Sequence, residues 1–401
     1  MKILYYNHQG KVSGAERVIL LVLKHLNRKE FDPLMICPTT DTMAEETAKL
    51  GVPCRTIKQF EARFTVRPDK LIGYFASFVQ TLRQLRAEIH SANPNLIHAN
   101  SIRSGLVATA ASAGMKIPVI WHLQDELGTH PISTLIRVFA AFFKQTRLMP
   151  VSEATGKSFR GRFLSSFGNH LQEHVVHNGV EPEEFKFDTA NRRQIRRELN
   201  LSDEELVFGI VGQITPRKGQ LELLRTFSAT QREMPSTLLI IGAPVFNQDH
   251  LYLEKLKTAV KELKIEACVK FLGARSDVAA IMQSLDALVI NSKSEALVLV
   301  AIEAMACRTP VIATDVGGTR EIIAHKKNGW LVSFGDEKAL AEAILTVGKD
   351  PEMRRRFAEE SAKIVASRLN AEYFINRIEE FYKQCVSREM RAGGKDLAIQ
   401  N

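Results

Sequence analysis

The sequence is poor in the features that mark several common protein classes. Its five cysteines, at positions 37, 54, 268, 307 and 385, form no C-x-x-C or paired spacing, so neither a zinc site nor a disulfide framework is indicated. No stretch supplies eighteen uncharged apolar residues, and the start, Met1-Lys-Ile-Leu-Tyr-Tyr-Asn7, reads as a short strand; a cytosolic chain without a membrane span is expected. The corner Asn7–Glu16 has Gly10 and Gly14 but neither the G-x-G-x-x-G nor the G-x-x-x-x-G-K-[ST] pattern, which weakens a dinucleotide or P-loop reading. There is no basic helix leading into heptads, no zinc finger and no aromatic RNP pattern, so nucleic acid is not the expected partner. His170, His174 and His177 lack the H-E-x-x-H arrangement, and a metal there is disfavoured. Repeats and low-complexity tracts are absent as well.

What is present points to two α/β domains. At 401 residues the chain exceeds what one core normally serves, and its 45% hydrophobic content is ordinary for a globular protein. Short apolar runs, Lys2–Asn7, Leu34–Pro38, Val52–Ile57, Asn95–Ala99, Val119–Leu123, Leu148–Ser152 and Val175–Asn178, alternate with amphipathic segments such as Arg17–Leu26 and Leu71–His90. That is the rhythm of a doubly wound parallel sheet. Val180–Phe185 and the charged segment Asn191–Asn200 read as a hinge and lead-in. A second set follows: Leu206–Ile214, Leu238–Gly242, Val269–Gly273, Leu285–Ile290 and Pro310–Thr314. Two such sheets in tandem are expected to form a cleft between their carboxyl edges, with domains at 1–183 and 184–370. Residues 371–401 read as a closing amphipathic helix, Tyr373–Val386, and a frayed tail from Arg391. The formal charge is +9, and 22 Lys and Arg against 16 Asp and Glu through Phe185 place most of the surplus in the first half. Such an excess suits an anionic membrane or a phosphorylated substrate as well as nucleic acid.

Three corners could carry chemistry. The loop from Asn291 joins the apolar run ending at Ile290 to a helical pattern over Val298–Ala306. Ligands bind at such carboxyl-edge corners, and the first helix amides, those of Leu299 and Val300, can hold an anion. Glu295 and Glu303 flank that position; taken singly, Glu303 complements the helix dipole, worth about 0.3–1 kcal/mol, and Glu295 is a solvated loop charge. In Gly209–Gly219, Arg217 and Lys218 precede a helix over Gln220–Glu233. Two cations there oppose the dipole and each other, at about 0.3–1 kcal/mol apiece, and a bound anion reverses the sign; an exposed basic loop is the plain alternative. His122 closes the run Val119–Leu123 and by itself reads as a structural histidine, with Asp125 and Glu126 as loop charges. Ser13 reads as a helix N-cap and Gly14 as a turn residue.

The spacing Glu295-x7-Glu303 followed by Ala304-Met305-Ala306 resembles the retaining GT-B glycosyltransferases of glycosyltransferase family 4, also called glycosyl transferases group 1. Ser13-Gly-Ala-Glu16, Val175-Val-His-Asn-Gly179, the Arg217-Lys218 pair, Asp315-Val-Gly-Gly-Thr-Arg-Glu321 and Asn328-Gly329 follow the same family. The resemblance implies a GT-B fold, two Rossmann-like doubly wound domains facing across a cleft, with the last helix crossing back onto the first domain. It also implies a metal-independent hexosyltransferase that needs no cofactor and takes a UDP- or GDP-linked sugar to a hydroxyl acceptor, a sugar or a lipid-linked glycan. In such an enzyme His122 and Glu295 contact the donor sugar and Glu303 the ribose hydroxyls. Arg217, Lys218 and the amides of Leu299 and Val300 face the diphosphate, the small residues Ser13 and Gly14 let the donor or acceptor approach the backbone, and Gly212 belongs to the donor site. The absence of any D-x-D agrees with a diphosphate held without metal. Leu297 and Val298 depart from the Phe-Gly or Gly-x-Pro frequent in the family, and Arg308 stands in place of a usual glycine. A left-handed backbone at Arg308 costs roughly 1–2 kcal/mol.

Two stretches mix cations with aromatics. One holds Arg55, Phe60, Arg63, Phe64, Arg67, Lys70, Tyr74 and Phe78; the other runs from Arg137 to Phe167. They read either as a peripheral contact with the inner face of a membrane or as ordinary amphipathic helices. Envelope or polysaccharide synthesis is the expected setting. A nucleotide-sugar 2-epimerase of the same fold and a non-catalytic nucleotide-sugar-binding subunit are the rival readings.

Overall fold

A computed structural model of the chain describes residues 1–38, 42–59, 68–167, 171–245 and 247–397. The apolar runs become strands of two parallel sheets. The first contains β1 (Lys2–Tyr6), β2 (Asp32–Pro38), β3 (Cys54–Ile57), β4 (Leu96–Ala99), β5 (Val119–Leu123), β6 (Thr146–Pro150) and β7 (Gln172–Glu173), in the order β3-β2-β1-β4-β5-β6-β7. The second contains β8 (Val207–Val211), β9 (Thr237–Ile241), β10 (Val269–Gly273), β11 (Ala287–Ile290), β12 (Val311–Thr314) and β13 (Trp330–Val332), in the order β10-β9-β8-β11-β12-β13. Helices cover both faces, so β4, β5, β9, β11 and β12 are buried along their whole length; this is why they read as unbroken apolar runs rather than alternating ones. In each sheet the order reverses once, between β1 and β4 and between β8 and β11. At such a point the connections leave toward opposite faces and open a crevice at the carboxyl ends.

Residues 1–178 together with the helix Ala371–Leu397 form one compact unit, and residues 179–370 form the other. The closing helix joins the first unit because Phe374, Ile378, Phe381, Tyr382 and Cys385 fall on one face and are all buried. Glu379 accepts from the Asn27 amide at 2.8 Å, and Lys383 meets Glu30 at 2.6 Å. This helix continues through Gly393 and Gly394 to Leu397, past the point where a frayed tail was expected. Two glycines weaken a helix without breaking it, since neither removes an amide donor.

Three other expectations change. The paired part of the seventh strand is Gln172–Glu173 rather than Val175–Asn178; the amides of His174 and Val176 then extend the ladder to the Leu148 and Pro150 carbonyls. The charged lead-in is the helix Thr189–Glu198, docked within the second unit. Its Arg192 and Arg196 bind the two oxygens of Asp286 at 2.8 Å each, and Arg196, almost wholly buried, also donates to the Ser284, Ser202 and Glu205 carbonyls. Fully ligated in this way, the guanidinium is tolerated in the interior. Strand β13, three residues long, is too short to show a period in the sequence.

The helix Leu299–Ala306 ends in a Schellman motif: Thr309 N donates to the Ala304 carbonyl (2.8 Å) and Arg308 N to that of Met305 (3.1 Å), with Arg308 at φ 58°. The position does require a left-handed backbone. Arg308→Gly is therefore expected to stabilise the protein by roughly 0.5–1 kcal/mol, seen as a higher urea midpoint with unchanged slope.

Candidate functional site

The loop after β8 folds across the end of β11, on the line where the second sheet reverses. Gly242 makes this possible at one side: at φ 139°, an added Cβ would stand 1.8 Å from the Gly212 carbonyl. At the other side Gly219, at φ 66°, lies so close to Asn291 that a Cβ would stand 2.1 Å from the Asn291 carbonyl. Hydrogen bonds then zip the two loops together. Asn291 Nδ2 donates to the Gly219 carbonyl at 2.9 Å, Lys293 N to the Arg217 carbonyl at 2.8 Å, and Arg217 Nη1 to the Ser294 carbonyl at 2.8 Å.

This zipper brings three of the expected residues into contact. Lys218 Nζ stands 2.5 Å from Glu295 Oε1, and Arg217 Nη1 stands 3.4 Å from Glu295 Oε2. Glu295 is buried and Lys218 nearly so, whereas about half of the Arg217 side chain faces solvent. The carboxylate thus offsets one of the two like charges that sit on adjacent residues before the helix Gln220–Thr230 and leaves the cluster net positive. Gly212 ends β8 at φ 144° and lies against the Lys218 stem. Glu303 is half-buried on the helix Leu299–Ala306.

One assignment is corrected. The amide of Leu299 donates to the Leu297 carbonyl at 3.0 Å, because Val298 (φ −82°, ψ 83°) adopts the inverse γ-turn geometry that closes such a bond. It is engaged within the loop, and Val300, partly exposed, is the next amide of the turn. Leu297 and Val298, the departures in the motif, are buried in that loop.

Several polar residues of this crevice carried no signal in the sequence. Gln220 Nε2 donates to the Gln213 carbonyl at 2.9 Å, and Gln213 Nε2 to the buried Asp249 at 2.8 Å. Among the described residues, Gln220 Oε1 and Ser292 Oγ are buried without a partner. The Asp315–Glu321 segment docks beside them through Gly318 N, which donates to the Ala296 carbonyl at 3.2 Å.

Ser13, Gly14 and His122 belong to the first unit. Ser13 caps the helix Gly14–His25 in a capping box with Glu16, and Gly14 begins that helix with open space around its Cα. His122 is wholly buried and stands 3.2 Å from His98, which in turn lies 2.6 Å from the Tyr382 hydroxyl of the closing helix. Tyr382 donates to Tyr5 at 3.2 Å. One set of proton positions satisfies the chain: His98 Nδ1–H points to Tyr382, His122 Nδ1–H to His98 Nε2, and His122 Nε2 accepts from Gln124 Nε2 at 3.1 Å. Burial pushes His122 down to about 3 and His98 well below its ordinary value, so both rings are neutral at pH 7. His8, after β1, lies 3.1 Å from the Ser104 and Ser101 hydroxyls and is also pushed down to about 3, by burial and the nearby Arg103 charge.

Of the two basic and aromatic stretches, the second is divided, with Phe142, Lys144 and Lys157 exposed. Arg137, Arg147 and Phe159 are buried. Phe60, Arg63, Phe64 and Arg67 lie outside the described residues, as do the side chains of Lys70, Tyr74, Arg162 and Phe163. His174 stacks on Phe381 at 4.9 Å, and His170 lies outside the described residues.

The buried neutral rings set a pH dependence. Their folded pKa values lie below 6.5, so the unfolded chain binds protons first as pH falls. The stability tied to their neutrality is complete above pH 6.5 and is lost below it, by up to about 1.4 kcal/mol per pH unit per ring, until the folded values near 3 are reached. Urea unfolding at pH 7, 6 and 5 is expected to show this decline, with a shallower slope in His8→Gln.

Comparison with known proteins places these features in context. The model of glycosyltransferase family 4 matches residues 12–184, and that of glycosyl transferases group 1 matches residues 191–364. N-acetyl-alpha-D-glucosaminyl L-malate synthase of Bacillus anthracis is 30% identical over 190 residues, 47% of this chain and 48% of that protein. The chain thus spans about half the length of that relative. The capsular polysaccharide biosynthesis glycosyltransferase CapM of Staphylococcus aureus is 23% identical over 348 residues, 82% of this chain and 87% of its own. Among solved structures, Anabaena HepE in complex with UDP-glucose superimposes with a TM-score of 0.80 at 24% identity, over 96% of this chain and 100% of that one. That likeness concerns the fold, which is of the GT-B type.

Proposed function

The chain belongs to the glycosyltransferases described by the family 4 and group 1 models, and from that premise we propose that it transfers a sugar from a nucleoside diphosphate to a hydroxyl acceptor with retention at the anomeric carbon. The observation that carries this reading is the convergence of Arg217 and Lys218 on Glu295 at the reversal between β8 and β11. A carboxylate shared by two cations is an exchangeable counter-ion. When a diphosphate enters, the cations turn to its oxygens, and Glu295 is released to accept hydrogen bonds from the sugar hydroxyls.

As the glycosidic bond breaks, negative charge grows on the leaving phosphate. Arg217, Lys218 and the Val300 amide stabilise that charge in a partly dry crevice, where fixed donors are worth more than in water. The acceptor hydroxyl attacks from the leaving-group face and gives its proton to the departing phosphate. Glu303 holds the ribose, and His122 meets the donor sugar as a neutral imidazole once Gln124 withdraws from its Nε2. The donor is a UDP- or GDP-linked sugar, the acceptor a sugar or lipid-linked glycan, and the setting polysaccharide or envelope glycoconjugate synthesis.

Arg217→Ala combined with Lys218→Ala is expected to lower transfer by at least about 100-fold with the fold intact but the unfolding midpoint lowered, since the buried Glu295 loses both cations, measured by product mass analysis over a panel of nucleotide sugars and by circular dichroism. Full activity in that variant would remove the phosphate clasp. Transfer is also expected to persist in excess chelator, because two side-chain cations take the place of a metal; a strict requirement for a divalent ion would reject this arrangement. Donor binding without any transferred product would favour a non-catalytic subunit, and conversion of the donor alone an epimerase.

A further inference from the structure

The hydrogen-bond chain behind His122 decides which of its two ring nitrogens carries the proton. In a neutral imidazole one nitrogen donates and the other accepts, and the partner of one fixes the character of the other. A histidine side chain left to itself favours the proton on Nε2. Gln124 does not choose between the two forms, because its Nε2 stands 3.1 Å from His122 Nε2 and 3.2 Å from His122 Nδ1 and can donate to either. The choice falls to His98, whose Nε2 lies 3.2 Å from His122 Nδ1.

His98 offers a bare Nε2 only if its own proton sits on Nδ1, and there the partner is the Tyr382 hydroxyl at 2.6 Å. That oxygen is free to accept because its own hydrogen goes to the Tyr5 hydroxyl at 3.2 Å. Burial pushes both phenols upward, so each keeps its hydrogen. The rings are wholly buried and packed edge to face, His98 against Tyr382 at 5.7 Å and against His122 at 5.2 Å. A flip of either imidazole would put carbon where a bonded nitrogen now stands.

We propose that Tyr382 and His98 are positioning residues for sugar transfer: the hydroxyl on the closing helix orders His98, and His98 holds His122 in the form whose bare Nε2 accepts a hydrogen bond from a hydroxyl of the donor sugar. That role rests on the reading in which His122 meets the donor sugar. Once Gln124 withdraws, the nitrogen it leaves can only accept, so the sugar must bring an O–H; an ether oxygen in that place meets a lone pair. Neither Tyr382 nor His98 touches substrate. In the sequence Tyr382 passes for one more apolar residue of an amphipathic helix.

Long-range 1H–15N spectra of the full chain labelled at histidine read the proton positions directly, with His98→Gln and His122→Gln assigning the signals. Wild type is expected to carry the proton on Nδ1 in both rings at pH 7. In Tyr382→Phe, which keeps the ring and removes only the hydroxyl, both protons are expected to move to Nε2. In the same variant kcat is expected to fall about tenfold, with KM for the donor within about twofold of wild type, since the cations that hold the diphosphate are untouched. On a His122→Gln background, Tyr382→Phe is expected to cost less than about twofold further, the pattern of a residue that acts only through another. A wild-type His122 protonated on Nε2, or a Tyr382→Phe variant with the His122 proton unmoved or with full kcat, would overturn the proposal. So would equal losses of kcat in both backgrounds, which would make Tyr382 a packing residue alone. The proton positions are read without substrate. A wild type that shows them as stated but turns over no nucleotide sugar would therefore sink the transfer reading and the role built on it, whereas misplaced protons in an active enzyme would sink the relay alone.

Discussion

Two positive charges on adjacent residues, in front of a helix whose dipole repels them, are shared by a single carboxylate that contacts both. The contact of Glu295 with Lys218 and Arg217 depends on two loops meeting at a distance that only glycine permits, at Gly219 against Asn291. That close approach is possible because β8 and β11 are neighbours at the point where the second sheet reverses. Strand order, glycine geometry and charge balance are thus one constraint seen at three scales. An anion entering the crevice meets cations already aimed and already paired, so binding exchanges one counter-ion for another.

The first unit solves a different problem. Its sheet carries histidines at the carboxyl ends of central strands, where burial would leave polar nitrogens unsatisfied. The chain from Tyr5 through Tyr382 and His98 to His122 meets that demand with hydrogen bonds alone, and neutrality of the rings follows from their burial. One link comes from the closing helix, so a segment more than 200 residues away in sequence fixes the orientation of His122. Arg137 in the same unit follows the same logic, with carbonyls in place of a counter-ion.

Much of the architecture was legible in the chain because parallel strands buried on both faces must be apolar throughout, and runs such as Val119–Leu123 and Val269–Gly273 coincide with β5 and β10. Glu295, Glu303, Arg217 and Lys218 stood out by spacing. The partners of that cluster did not: Asn291, Gln213, Gln220 and Asp249 are ordinary polar residues whose roles arise from loops meeting in space. The burial of Arg137 was not legible, because helical periodicity says which residues share a face, but not which face turns inward.

The sequence by itself determined the succession of strands and helices, the two sheets they build, the glycines at the tight corners and the family motif. These are local properties, set by backbone conformation and by the polarity of neighbouring residues. Only the tertiary structure decided that Glu295 takes both cations, that the Leu299 amide is closed into its own loop, and that the helix Pro131–Phe142 buries Arg137 while Leu135 and Phe142 face water. Each of those outcomes depends on contacts between segments far apart in the chain, and the free energy of such a contact is not carried by either segment alone.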